Sequence, residues 1–165
     1  VPEPTYVDQG ARFDDVRVYR YRLWRAWSWS APRVAFLMLN PSTADETQLD
    51  PTLRRCLGFA HAWGYGGFEV INLFALRSPK PDVLYGHRDP VGAGNDAAIL
   101  DVTLRCALTV AAWGTHGAHL HRGDTVKRMV ANAGRPALHV LRLSKDGHPV
   151  HPLYLPAGLK PTPWR

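Results

Sequence analysis

The 165 residues carry twenty Lys and Arg against fourteen Asp and Glu, a formal net charge of +6, with 45% hydrophobic residues and two cysteines. This length and apolar content suit one α/β domain over residues 1–165, able to bury a core without metal or disulfide staples, and exclude a disordered chain. No apolar run approaches the roughly 18 residues of a membrane span and no signal-peptide pattern is present, so no membrane partner is expected and the expected compartment is the cytoplasm.

Residues 1–15 include two prolines and little periodicity, and read as a loose lead-in. Arg17 to Trp27 alternates Arg with aromatic and β-branched residues, and neither side of the resulting strand is cleanly apolar. Such a mix stacks nucleic-acid bases in some proteins; more commonly it marks a sheet edge guarded by charge, the reading preferred for this segment.

Val34 to Leu39 is an unbroken apolar run, too short for a solitary helix and suited to a strand buried on both faces. Asn40 and Pro41 end it, because Pro41 has no amide to continue a ladder and biases Asn40 toward an extended backbone. Asn40, Ser42, Thr43, Asp45 and Glu46 then stand just past the carboxyl end of a buried strand, where open α/β sheets place their ligands. Ser, Thr and Asp are also ordinary turn and helix-start residues. Asp50-Pro51 predicts a helix start, and Leu53, Cys56, Leu57, Ala60 and Trp63 continue at helical spacing until Gly64, Gly66 and Gly67.

Phe68 to Phe74 reads as a second buried strand, with Asn72 inside an apolar Val-Ile-Asn-Leu-Phe. A buried amide is costly without partners, so Asn72 is either a link between strands or a reader of a ligand. Arg77 to Gly94 is a Pro- and Gly-rich connection long enough to be functional. A helix from Asn95 or Asp96 to Cys106, a strand over Leu108 to Ala112 ending in Trp113-Gly114, a helix over Asp124 to Ala133 and a strand over Ala137 to Leu143 complete the pattern. Residues 157–165 read as a tail, and Cys56 and Cys106 as reduced core thiols.

Strands alternating with helices predict a three-layer α/β sandwich around a mostly parallel sheet of about four core strands, plus an N-terminal edge strand or hairpin. In that arrangement every core strand opens on one edge, which gathers Asn40, the end of the Asn72 strand, Trp113 and His151 from distant parts of the chain.

Those four exits, in order, resemble the motifs of the uracil-DNA glycosylase superfamily: Met-Leu-Asn40-Pro41, Val-Ile-Asn72-Leu, Ala-Ala-Trp113-Gly114 and His151-Pro152. The resemblance implies that fold and hydrolysis of an N-glycosidic bond in DNA or a nucleotide, as in DNA repair or base modification, with no cofactor. It also implies that Asn40 holds the attacking water, Asn72 reads an extruded base and His151 donates a hydrogen bond to the departing base. Phe59 or Trp113 would stack the base, and Pro41, Ser42 and Thr43 would line the sugar-phosphate side, although core packing and capping explain Phe59, Trp113, Ser42 and Thr43 more simply. Asp45 and Glu46 have no counterpart in the pattern; they suit a general base or a metal ligand of different chemistry, or a first helical turn. Ser42 replaces the aromatic with which the most active uracil enzymes exclude thymine, and Leu153-Tyr154-Leu155 replaces their Ser-Pro-Leu-Ser, so the base is not fixed. The sequence resembles more closely a bacterial family known as domain of unknown function 1643, through Leu-Asn-Pro-Ser-Thr-Ala-Asp, Asn-Leu-Phe-Ala and His-Pro-Leu-Tyr.

His116, His119 and His121 lack the Cys or Glu partners of a zinc spacing and are read as loop histidines, so no metal is expected. No phosphate-binding Gly-rich loop, dinucleotide fingerprint or nucleophile elbow appears. The competing reading is a non-catalytic nucleotide or nucleic-acid binder using the same cleft and the positive charge.

Overall fold

The apolar run after Arg33 forms a strand with no solvent on either face, and the sheet is built outward from it. The structure, a computed structural model, describes residues 2–165. In chain order it contains β1 (Asp8–Phe13), β2 (Arg20–Ala26), β3 (Arg33–Met38), α1 (Pro51–Ala62), β4 (Gly67–Asn72), α2 (Asp82–Gly86), α3 (Asn95–Arg105), β5 (Leu108–Ala111), α4 (Arg122–Asn132), β6 (His139–Val140) and β7 (Thr162–Pro163). The seven strands make one mixed, strongly curled sheet, a half-barrel, in the order β1-β2-β4-β3-β5-β6-β7. Its centre is parallel, β4-β3-β5-β6, and both margins are antiparallel.

Alternation along β3 divides the interior in two. Val34, Phe36 and Met38 pack with Leu53, Cys56, Leu57 and Ala60 of α1, whereas Ala35 and Leu37 pack with Ile99 and Val102 of α3 and Val126 and Val130 of α4. Helix α1 starts where Asp50-Pro51 predicts: the Asp50 carboxylate accepts from the Leu53 amide at 2.9 Å, and Gly64 leaves the helix at φ +82°. No described helix is long and apolar enough to cross a membrane.

Three expectations are corrected. Residues 8–13 are not a loose lead-in: they form β1, paired with β2 from Asp8 opposite Ala26 to Phe13 opposite Arg20. Consequently β2 is not an edge strand guarded by solvated charge, since β1 and β4 cover both its sides and Arg20 and Arg25 are buried. Residues 162–163 of the expected tail form β7 against β6, and the indole of Trp164 lies 5.4 Å from that of Trp113. β1 meets β2 across a hairpin turn in which the Tyr19 amide donates to Asp14 at 2.8 Å, whereas β2 meets β4, and β6 meets β7, from further along the chain, where no local pattern announces the pairing.

One feature of β4 lies away from the carboxyl edge. Glu69 is fully buried and its carboxylate meets Arg22 at 2.6 Å, Arg105 at 2.8 Å and Arg33 at 3.4 Å. Each of these arginines comes from a different element, so one buried charge joins β2, β3, β4 and α3.

Candidate functional site

The strand order turns back beside β3: the chain runs from β3 to β4 on one side, then crosses to β5 on the other. Such a reversal leaves a crevice at the carboxyl ends of the strands. Here the crevice is a cleft of about 570 Å³, within the range that holds a small ligand.

Asn40, Pro41, Ser42 and Thr43 enter it from the β3 exit, Asn72 from the end of β4, Trp113 from β5 and His151 from the final segment. Backbone register accounts for the first pair, because Met38 lies opposite Asn72 and the two strands end level. His151 is carried there by two bonds. The Gly114 amide donates to the Pro149 carbonyl at 2.7 Å and the Val150 amide to the Arg142 carbonyl at 2.9 Å, which folds the last segment back over the β5 exit.

The three central side chains differ in how they are held. Asn40 Nδ2 donates to the carbonyls of Ser78 at 3.0 Å, Pro41 at 3.2 Å and Leu76 at 3.4 Å, which fixes the carboxamide and leaves its oxygen as the acceptor available to a ligand or water. Asn72 is 1% exposed, and its Nδ2 is buried without a hydrogen-bond partner among the described residues. His151 Nδ1 accepts from the Leu153 amide at 3.3 Å, so Nε2 carries the proton in the neutral ring. Burial pushes its pKa below the ordinary imidazole value, with the nearby Asp50 carboxylate pulling the other way.

Trp113 lines the cleft but is 3% exposed and is wedged against Trp164 and Gly117, so it acts as a wall. Phe59 is not in the site. It sits in the α1 core, its ring 5.2 Å from that of Trp63, because its place on the buried face of α1 points it away from the sheet edge. Asp45 and Glu46 are corrected as well. Asp45 closes a turn by accepting from the amides of Thr47 and Gln48, both at 2.8 Å, and those bonds hold its pKa low. Glu46 pairs with Arg17 at 2.7 Å on the surface. Neither lines the cleft. The three histidines diverge: His116 bonds the Tyr85 hydroxyl at 2.8 Å, His119 the Leu84 carbonyl at 3.2 Å, and His121 lines a different depression. Both thiols are buried and free, with pKa values raised by desolvation.

Sequence reasoning missed Arg20, Asp50 and Tyr154. Because β2 runs antiparallel to its neighbour β4, its first residue lies at the carboxyl edge, where the Arg20 amide donates to the Ala75 carbonyl at 2.9 Å and the side chain enters the cleft. Asp50 was legible as a cap, not as a cleft carboxylate. Tyr154 stands on the rim with 85% of its surface exposed, an aromatic that the closing His-Pro-Leu-Tyr run already contained.

Fold and site together define an α/β protein with a cleft at the strand-order reversal of a curled, mixed sheet. More particularly, the family model described as "Protein of unknown function (DUF1643)" matches residues 20–153, and the chain belongs to that family. The match takes in every cleft residue except Tyr154. No curated protein and no solved structure matches the chain, and nothing in these comparisons points to the uracil-DNA glycosylase superfamily.

Proposed function

We propose that the protein hydrolyses the N-glycosidic bond of a nucleobase in DNA or in a nucleotide, with a core arranged like that of the uracil-DNA glycosylases. The observation that carries this reading is the Asn72 carboxamide. An amide that is 1% exposed and unpartnered costs free energy on the order of 1–3 kcal/mol, and a cleft-lining site that retains one is suited to a ligand with its own donor and acceptor edge. A nucleobase offers such an edge.

The neighbouring groups fit the reaction. Breaking the bond sends its electron pair to the base and leaves positive charge on the sugar; water then forms the new carbon–oxygen bond, and the base departs with a proton overall. A neutral His151 offers an Nε2–H donor toward negative charge that grows only as the bond breaks, which stabilises the transition state over the ground state. Asn40, its amide nitrogen tied to three carbonyls, presents an oxygen to orient the water. Tyr154 on the rim is the aromatic best exposed for stacking the base.

The test is base release from oligonucleotides carrying uracil, hypoxanthine or modified pyrimidines, and from the corresponding nucleotides. Release by the wild-type protein and not by the Asn40→Ala, His151→Ala double variant supports the reading; no release above that variant rejects it.

A second reading, a non-catalytic binder of nucleotides or nucleic acid, draws on a depression of about 430 Å³ that shares Ser42, Thr43, Ser78 and Pro79 with the cleft and adds Arg17 and Arg77. Binding without base release, weakening steeply with salt, supports it; no binding at low salt removes it.

A further inference from the structure

Arg20 is 2% exposed, lines the cleft and makes a single side-chain hydrogen bond, from Nη1 to the Ala44 carbonyl at 3.2 Å. Its Nε is buried with no partner, and no carboxylate among the described residues is within ion-pair distance of it. Burial lowers its pKa to about 10, which still leaves the guanidinium charged at neutral pH. An unpaired buried cation is among the most costly groups a fold can keep.

The neighbouring Arg25 shows what a purely structural arginine looks like here. It is equally buried and its Nε is likewise without a partner, but its terminal nitrogens reach the carbonyls of Asp45 at 2.7 Å, Trp24 at 2.8 Å and Gly10 at 3.3 Å, and it does not line the cleft. Arg20 has the same burial with one such bond in place of three, and it faces the cleft. Its free donors belong to a planar fork that matches the oxygens of a phosphate, and the adjoining wall carries the Ser42 and Thr43 hydroxyls, beyond which lie Arg17 and Arg77. Asp50 is the one carboxylate among the cleft-lining residues, and one of its oxygens is engaged by the Leu53 amide.

We propose that Arg20 is the receptor for a phosphate ester of the ligand, so that the cleft takes a phosphorylated nucleotide unit and not a free base or nucleoside. This rests on the nucleobase reading above and assigns the substrate class of the same site. Phosphate esters reach such a site from a free nucleotide or from a nucleic-acid backbone, and the fork serves both.

The experiment is calorimetric titration of the wild-type protein at low salt with a pyrimidine nucleoside, its 5′-monophosphate, a short single-stranded oligonucleotide and inorganic phosphate. At least roughly tenfold tighter binding of a phosphate ester than of the nucleoside is expected, with inorganic phosphate competing and the preference lost in Arg20→Gln. The tighter of monophosphate and oligonucleotide identifies the source. Because Arg20→Gln also loses the bond to Ala44, a readout in the wild-type protein accompanies it: the Nε–H resonance of Arg20, assigned by its disappearance in Arg20→Lys, shifts on addition of inorganic phosphate. A nucleoside bound as tightly as its phosphate esters, or an Nε–H signal that does not move, overturns the assignment. Base release without phosphate preference rejects this subsite and keeps the hydrolase, whereas phosphate preference without base release does the reverse.

Discussion

Arg25 Nη2 donates to the Asp45 carbonyl at 2.7 Å, a bond that ties β2 to the loop leaving β3. Two further bonds from Nη1, to Trp24 and Gly10, make this guanidinium the junction of β1, β2 and the loop that carries Ser42 and Thr43. Replacing it by Met keeps much of the apolar volume and strands three carbonyl acceptors. Arg25→Met is therefore expected to cost about 3 kcal/mol in urea unfolding. A loss below about 1 kcal/mol contradicts the bracing role.

Glu69 makes the opposite case, a buried carboxylate with more partners than it needs. Removing its charge leaves Arg22, Arg33 and Arg105 facing one another around a neutral amide, although Arg33 keeps Asp8 at 2.6 Å and Arg105 keeps Asp101 at 2.9 Å. Glu69→Gln is expected to destabilise the protein by about 3 kcal/mol and Glu69→Ala by more, because breaking one member of a buried cluster leaves the others uncompensated. Ligand binding at the carboxyl edge of the partly destabilised Glu69→Gln protein, measured well below its unfolding temperature, stays within about twofold of wild type, because Glu69 does not line the cleft.

What the chain discloses locally it discloses well. β3 follows from six apolar residues in a row, and α1 from the Asp50-Pro51 start and the Leu53-Cys56-Leu57-Ala60 stripe, because each depends on neighbours in sequence. Asn40, Asn72 and Trp113 share one cleft because parallel strands share an exit edge, a rule that needs only the alternation of elements, and His151 joins them because the segment after β6 folds back over the β5 exit. The misses turn on strand pairing and direction. Asp8–Phe13 has no apolar run, and its strand exists only through pairing with β2. Arg20 reaches the site only because β2 is antiparallel to β4, and a pattern of arginines gives no sign of strand direction. Phe59 fails as a stacking residue because the stripe that places α1 also turns that ring into the core.

Acidification provides a test of His151. Its folded pKa lies below the ordinary imidazole value of about 6.5, so the unfolded chain binds the proton more readily than the native protein does. The associated stability is complete above about pH 6.5 and is lost as the pH falls from there through the lowered native value. Thermal midpoints of wild type are thus expected to drop more steeply than those of His151→Gln across that window and to run parallel to them above it. The proposed base release is expected to follow the same group in the same direction: Nδ1 must stay free of its proton to accept from the Leu153 amide, so release by the wild-type protein is expected to decline on the acid side and to hold toward neutrality. Parallel stability curves throughout contradict a buried neutral imidazole.

Asn72 separates stability from function most sharply. Its side chain is buried beside Met38 at the end of β4, and its Nδ2 has no partner among the described residues. Leu has nearly the same shape, no polar atoms to desolvate, and apolar neighbours in Met38 and Val70. Replacing an unsatisfied amide by an apolar group of similar size removes a penalty, so Asn72→Leu is expected to raise stability by about 1 kcal/mol in chemical denaturation. The same change deletes the donor and acceptor pair proposed to read the base, and base release and nucleotide binding are expected to fall by a hundredfold or so, a loss of about 3 kcal/mol of ligand interaction. A structural link between strands behaves in the reverse way: losing it destabilises the protein and leaves binding by the folded fraction intact. A stabilised variant that no longer binds is the outcome that assigns the amide to the ligand, and a destabilised variant that binds normally assigns it to the fold.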